Sequence, residues 1–224
     1  MKIMEVESID STNDYLLAHL HDLPSHTILR ADYQTRGHGR RDHKWDSQSG
    51  ENLLFSILIK DKIKPYEVSM VALYSIMEMM KHHGIQAYVK FPNDLYVNDD
   101  KICGILTQTI YEGTIQGIVI GIGLNVHDHD HMAMDQLVDE KLDVHDVMME
   151  ILNIFFKSLT INFSIIIDAI NQRSYLKGKI IDYKDYGPVS FLSIDEDGYV
   201  FMKTKRGLYK YPVNEIQIGK VASN

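Results

Sequence analysis

Gln34-Thr35-Arg36-Gly37-His38-Gly39-Arg40-Arg41, with Trp45 close behind, is the stretch on which the fold of this chain turns. It sets two glycines, three arginines and a glutamine between two apolar runs. Glycine lets a backbone approach a ligand closely and adopt positive φ. Arg36, Arg40 and Arg41 add permanently charged planar donors suited to phosphate or carboxylate. The profile is that of an anion-holding loop. No third glycine opens a helix, which sets aside a dinucleotide fingerprint, and no Gly-Lys-Ser/Thr follows, which sets aside a P-loop. A basic surface loop is the alternative for this segment standing alone.

Working outward, Ser11-Thr12-Asn13 lies upstream. Downstream come Lys90-Phe91-Pro92-Asn93-Asp94, Lys101-Ile102-Cys103-Gly104-Ile105-Leu106 and Gly121-Ile122-Gly123-Leu124-Asn125. Taken together and in this order, these motifs resemble the biotin protein ligases, which adenylate biotin and attach it to a carboxylase lysine. The resemblance is dense from Ser11 to Asn125 and looser beyond. It implies an α+β fold: a mixed-sheet biotin/lipoate ligase-type catalytic domain with a small SH3-like β-barrel at the C-terminus. Many members also carry an N-terminal winged helix that makes them repressors. Here the motifs begin at Ser11, so a short form without that domain, and without DNA as a partner, is expected.

Bulk properties agree with a soluble enzyme. The chain has 224 residues, 45% hydrophobic and 24% charged, an ordinary globular composition. A net charge of −8 gives no general affinity for nucleic acid, so a local arginine cluster reads as a small-anion site. The single cysteine, Cys103, excludes an internal disulfide and fits a reducing compartment. No apolar run approaches a membrane span, and the start of the chain lacks a signal-peptide core. A cytoplasmic protein with no membrane partner is expected.

Patterning predicts a strand over residues 1–9, then a helix capped by Ser11 or Asp10 and running to about Leu20. Strands are predicted at 27–31 and 53–60, and a helix from Pro65 to His83 stopped by Gly84. Its Met70, Met77 and Met80 read as core filler. Short strands follow at 86–90, 94–97, 101–110 and 114–122, with a hairpin turn at Asn98-Asp99-Asp100. Helices are expected at 144–159 and 164–176, and short strands from 179 to 219. The domains are therefore 1–177, catalytic, and 178–224, SH3-like.

The resemblance implies two chemical steps. Biotin's carboxylate attacks the α-phosphorus of Mg-ATP, and an acceptor lysine then attacks the biotinyl-5′-AMP anhydride. Arg40, Lys101 and Asp94 match the catalytic positions: two cations at the carboxylate–phosphate junction and a carboxylate for the incoming lysine. Arg40, Arg41, Lys90, Asn93 and Asn125 match ATP-binding positions, with magnesium accompanying ATP. Biotin is assigned Ser11, Thr12, Asn13, Gln34, the Gly37-His38-Gly39 loop, Trp45, Lys101, Gly104, Leu106, Gly121 and Leu124. The expected partners are biotin, ATP and the biotin carboxyl-carrier domain of a carboxylase, with a homodimer possible in this family. A helix cap at Ser11-Thr12-Asn13, an ordinary turn at Pro92-Asn93-Asp94 and a solvated Lys90 are the structural alternatives.

Some positions depart from the family pattern. His38 stands where arginine is usual, Phe91 replaces tryptophan, Asp42 follows the arginines, and Gln108 sits where glutamate is frequent. The run His127-Asp128-His129-Asp130-His131 replaces a longer loop over the adenylate. Its alternating spacing fixes no tetrahedral geometry, so a mobile polar loop and no metal site are expected. Strand alternation places Lys101 and Cys103 on one face, with a buried small residue favoured over a nucleophile at Cys103. A lipoate or octanoate ligase of the same fold, and a biotin-binding pseudoenzyme, are the alternative functions. No Gly-Gly-Gly run follows Arg40-Arg41 as the former would show, and retention of Arg40, Lys101, Asp94 and Asn125 opposes the latter.

Overall fold

The computed structural model describes residues 1–40, 44–45, 48–182 and 187–212. Strands β1 (Lys2–Ile9), β2 (Thr27–Gln34), β3 (Asn52–Ile59), β4 (Tyr88–Lys90), β5 (Asp94–Val97), β6 (Asp100–Glu112) and β7 (Thr114–Asn125) form one seven-stranded sheet. Its order is β1-β2-β3-β7-β6-β5-β4, with β1 and β2 parallel and the other pairs antiparallel. The mixed sheet expected from the motifs is thus present.

Helices cover the two faces unequally, and this inequality positions the site. Helices α2 (Pro65–His82), α3 (Val144–Ser158) and α4 (Phe163–Gln172) pack on one face, where Phe55, Ile57, Ile120 and Ile122 meet Met70, Met77, Phe155 and Ile166. Pro65 opens α2, and its methionines are buried as expected. Among the described residues the other face receives one helix, the short α1 (Thr12–Ala18), whose Leu16 packs with Leu20 on Leu29, Leu58 and Val119. Ser11 is the N-cap of α1 and accepts the Asp14 amide at 3.3 Å. Beyond α1, that face carries Ser56 on β3, Gly121 and Gly123 on β7 and Gly104 on β6.

Local chemistry explains most element ends. Asn98 and Asp99 both have positive φ, as a two-residue hairpin between β5 and β6 requires. Asp143 and Asn162 cap α3 and α4. The last helix stops at Gln172, short of the expected 176. Ser174 forms a parallel bridge with Val89, and the Tyr175 amide donates to the Val89 carbonyl, so the chain covers the outer edge of β4 instead of continuing as helix. Strand β7 runs on to Asn125, past the expected end at 122, because β3 pairs with it as far as Asn125 and β6 as far as Leu124.

The C-terminal part is a separate four-stranded antiparallel sheet of β8 (Ile180–Asp182), β9 (Pro188–Ile194), β10 (Tyr199–Thr204) and β11 (Gly207–Pro212). It is anchored to the main domain. Asn171 donates to and accepts from the Ile194 backbone, both at 2.9 Å, and Tyr66 donates to the Asp195 carbonyl at 2.9 Å. The Phe91 and Phe191 rings stack at 5.2 Å. Among the described residues no helix is long and apolar enough to cross a membrane.

Candidate active site

Glycines make the floor. Across β6 and β7, Gly104 pairs with Gly123 and Leu106 with Gly121. Trp45 lies on this floor: a Cβ at Gly123 would sit 2.5 Å from its indole, and one at Gly104 would sit 3.0 Å away. Any side chain at either position would displace the ring. The loop carrying Trp45 folds back on itself, with the Trp45 amide donating to the Gly37 carbonyl at 3.0 Å and His38 bridged to Lys44. The His38 ring lies 3.2 Å from the Arg36 carbonyl and 3.7 Å from Asp14. Trp45 Nε1 is buried without a hydrogen-bond partner.

One end of this slot is polar. Gln34 Oε1 accepts the Thr12 backbone amide at 2.7 Å, Thr12 Oγ1 lies 2.7 Å from Ser56 Oγ, and Ser56 donates to Asn13 Oδ1 at 2.6 Å. Asn13 Nδ2 donates to Gln108 Oε1 at 2.7 Å and to the Leu106 carbonyl at 3.3 Å. A Cβ at Gly121 would overlap the Asn13 amide, so that glycine makes room for this network. Ser56 and Gln108 were not among the expected site residues. The available signal was Ser56, the one hydroxyl in the apolar run Leu53-Leu54-Phe55-Ser56-Ile57-Leu58-Ile59.

The other end is charged. Lys101 Nζ meets Asp94 Oδ1 at 2.8 Å and lies 5.2 Å from the centre of the Trp45 ring. Asn93 donates to Asp94 at 3.1 Å and to the Ile105 carbonyl at 3.1 Å, and accepts from Arg40 at 3.4 Å. This fixes the turn that follows the cis Phe91–Pro92 bond. Lys90 shares the cross-strand register with Asp94, but its ammonium is held by Tyr96, 3.1 Å from the hydroxyl and 4.5 Å from the ring centre.

Three expectations need correction. Lys101 and Cys103 do not share a face, because β5 pairs Tyr96 with Lys101 and Leu95 with Cys103 and thereby skips Ile102. This bulge turns Lys101 to the Gly104 side and sends Cys103 into the core, where burial pushes its thiol up. Leu124 lies on the opposite face of β7 from Gly121 and Gly123, fully buried in the main core, and does not line the slot. The histidine run is not merely solvated loop. Asp128 is buried and accepts from Asn52 at 2.7 Å, and these bonds, with those from the 130 and 131 amides and His131, outweigh its burial and hold its carboxyl below the usual range.

Asn125 donates to the Met132 carbonyl at 3.0 Å, and His127 pairs with Asp135 at 3.3 Å, so the segment after β7 is tied down at both ends. No three His, Cys, Asp or Glu residues among those described are placed to hold a metal. Arg36 is paired with Asp10 on the surface. Arg41 and Asp42 lie outside the described residues.

Comparison with known proteins agrees with this arrangement. Residues 5–125 match the biotin/lipoate A/B protein ligase family. The chain is 29% identical over 220 residues to the bifunctional ligase/repressor BirA of Bacillus subtilis, covering 88% of this chain and 67% of that protein. It is 40% identical over 123 residues to the Escherichia coli BirA, covering 53% of this chain and 38% of that protein. Its fold is similar to that of a biotin protein ligase from Aquifex aeolicus solved with biotin and ATP, with a TM-score of 0.85 and 22% identity over 98% of this chain and 99% of that one. With more than half of its residues matched, the chain belongs to the biotin/lipoate A/B protein ligase family.

Proposed function

We propose that this protein is an ATP-dependent ligase that activates biotin as biotinyl-5′-AMP and transfers it to a lysine of the carrier domain of a biotin-dependent carboxylase. One observation carries the reading. A strip of the sheet floored by Gly121 and Gly123, with the Trp45 indole and the Asn13 amide lying over it, runs from a hydrogen-bonding end at Thr12 and Gln34 to a charged end at Lys101 and Asp94. Two residues of antiparallel strand span about 7 Å, the reach of biotin's four-methylene tail. A urea ring at one end would therefore bring the carboxylate to Lys101.

At that end Lys101 supplies a compact charge where carboxylate and α-phosphate meet, and Arg40 a planar one. Asp94 is paired with Lys101 before substrates arrive and exchanges that partner for the acceptor ammonium in the second step. Asn93 holds Asp94 in place, while Asn125, Lys90 and Arg41 serve the nucleotide. Magnesium enters on ATP as its counter-ion, in keeping with a metal that retains waters and takes few protein ligands. We place the domain boundary between residues 177 and 178, and the reaction in the cytoplasm, where a lone buried thiol is stable. With a net charge of −8, no DNA partner is invoked.

The test is transfer. Protein, labelled biotin, Mg-ATP and a carboxylase carrier domain should place the label on one lysine of that domain. Labelling by lipoate or octanoate, with biotin left untouched, would overturn the reading.

A further inference from the structure

The polar end of the slot has a direction, which proton counting reveals. The Leu106 carbonyl can only accept, so the Asn13 atom beside it is the amide nitrogen and Asn13 Oδ1 faces Ser56. That oxygen accepts the one Ser56 proton. The 2.7 Å contact between Thr12 Oγ1 and Ser56 Oγ is then made by the Thr12 proton. Thr12 has no second proton for Gln34 Oε1 at 3.0 Å, and that oxygen takes the Thr12 backbone N–H instead. Thr12 Oγ1 is left with lone pairs only, and Gln34, its oxygen engaged, presents its NH2 beside Gly37. An acceptor next to a donor complements a cyclic urea, which carries N–H next to C=O.

Gln108 stands at the head of this chain. Its oxygen lies 2.7 Å from Asn13 Nδ2, closer than the 3.3 Å of the Leu106 carbonyl. We propose that Gln108 is a positioning residue: by accepting from Asn13 Nδ2 more closely than the Leu106 carbonyl does, it reinforces the orientation that this carbonyl dictates and holds the Asn13–Ser56–Thr12 chain in the direction in which Thr12 Oγ1 meets the ligand as an acceptor. Gln108 needs no contact with the ligand to do this. The inference rests on biotin being the ligand of the slot.

Gln108→Met has nearly the same length and removes the acceptor, whereas Gln108→Glu retains one. Trp45 is the only tryptophan, and its fluorescence is the signal to follow as biotin is added. Gln108→Met should weaken biotin binding about tenfold or more, the range for a buried polar group that loses its partner. It should raise KM for biotin while leaving kcat and KM for ATP in place, and Gln108→Glu should restore the parent dissociation constant. Binding by Gln108→Met within twofold of the parent would overturn the proposal, as would a Gln108→Glu variant as weak as Gln108→Met. A parent protein that binds no biotin would instead overturn the functional reading itself.

Discussion

Lys101 and Asp94 face each other at 2.8 Å, half-sheltered beside Trp45, and the proposed reaction calls on each at a different moment. Lys101→Ala should slow adenylate formation by about 2.7–4 kcal/mol in barrier, the usual loss for one preorganised electrostatic group. Asp94→Asn keeps the size and loses the charge, so it should slow transfer from preformed biotinyl-5′-AMP more than it slows adenylation. Single-turnover measurements separate the two steps, and a variant slowed only in adenylation would move Asp94 to the nucleotide. Lys101, Asp94 and Asn93 were legible as candidates because each lies within a contiguous motif, and Trp45 because it follows one closely. The motif gave positions and not faces: Leu124 adjoins Gly123 in sequence, yet the two-residue period of a strand sends it to the core. Ser56 escaped notice because a single hydroxyl in an apolar run carries no motif.

Elements hold the site through a few polar ties, of which the clearest joins α2 to α3. His83, at the C-terminal end of α2, places Nδ1 on Glu140 and Nε2 3.0 Å from Glu150, while His82 meets Glu150 at 2.6 Å. Both His83 nitrogens donate only when the ring is protonated. Burial opposes that charge, but the bonds to Glu140 and Glu150 outweigh it and raise the group above its ordinary 6.5. A raised folded value means that the stabilisation is complete below the unfolded pKa and fades as pH climbs through the folded one. Thermal unfolding should therefore show stability falling above about pH 6.5, and His83→Gln should flatten that slope. An unchanged slope would show that His83 carries no linked proton. This tie was not legible in the sequence, because Glu140 and Glu150 lie far from His83 along the chain. The element boundaries that could be read were those with local causes: the Ser11 cap, Pro65 before α2, and the Asn98-Asp99 turn. Ends set by distant pairing, such as that of α4 against β4, could not.

At the scale of the molecule and among the described residues, three helices lie on one face of the mixed sheet and a single short one on the other, so Gly104, Gly121 and Gly123 of β6 and β7 are covered by the Trp45 and Asn13 side chains and not by a helix. The C-terminal sheet closes in from the side. Between it and the main domain lies a cleft of about 560 Å³ reached by Arg40 and Asn93 and walled by Tyr66, Asp197 and Tyr199. Arg40 and Asn93 thus face a cleft bounded by both sheets. The order of strands and helices and the β-rich tail were legible from periodicity and turn residues. The unequal covering of the sheet was not, since it depends on which face each helix finds. Whether this surface joins biotin to a nucleotide can be measured without any acceptor. Purified protein with biotin and Mg-ATP should release pyrophosphate and form biotinyl-5′-AMP in equal amounts, with no product when biotin is omitted. ATP left intact in the presence of biotin, or cleaved to ADP and phosphate, would contradict the account.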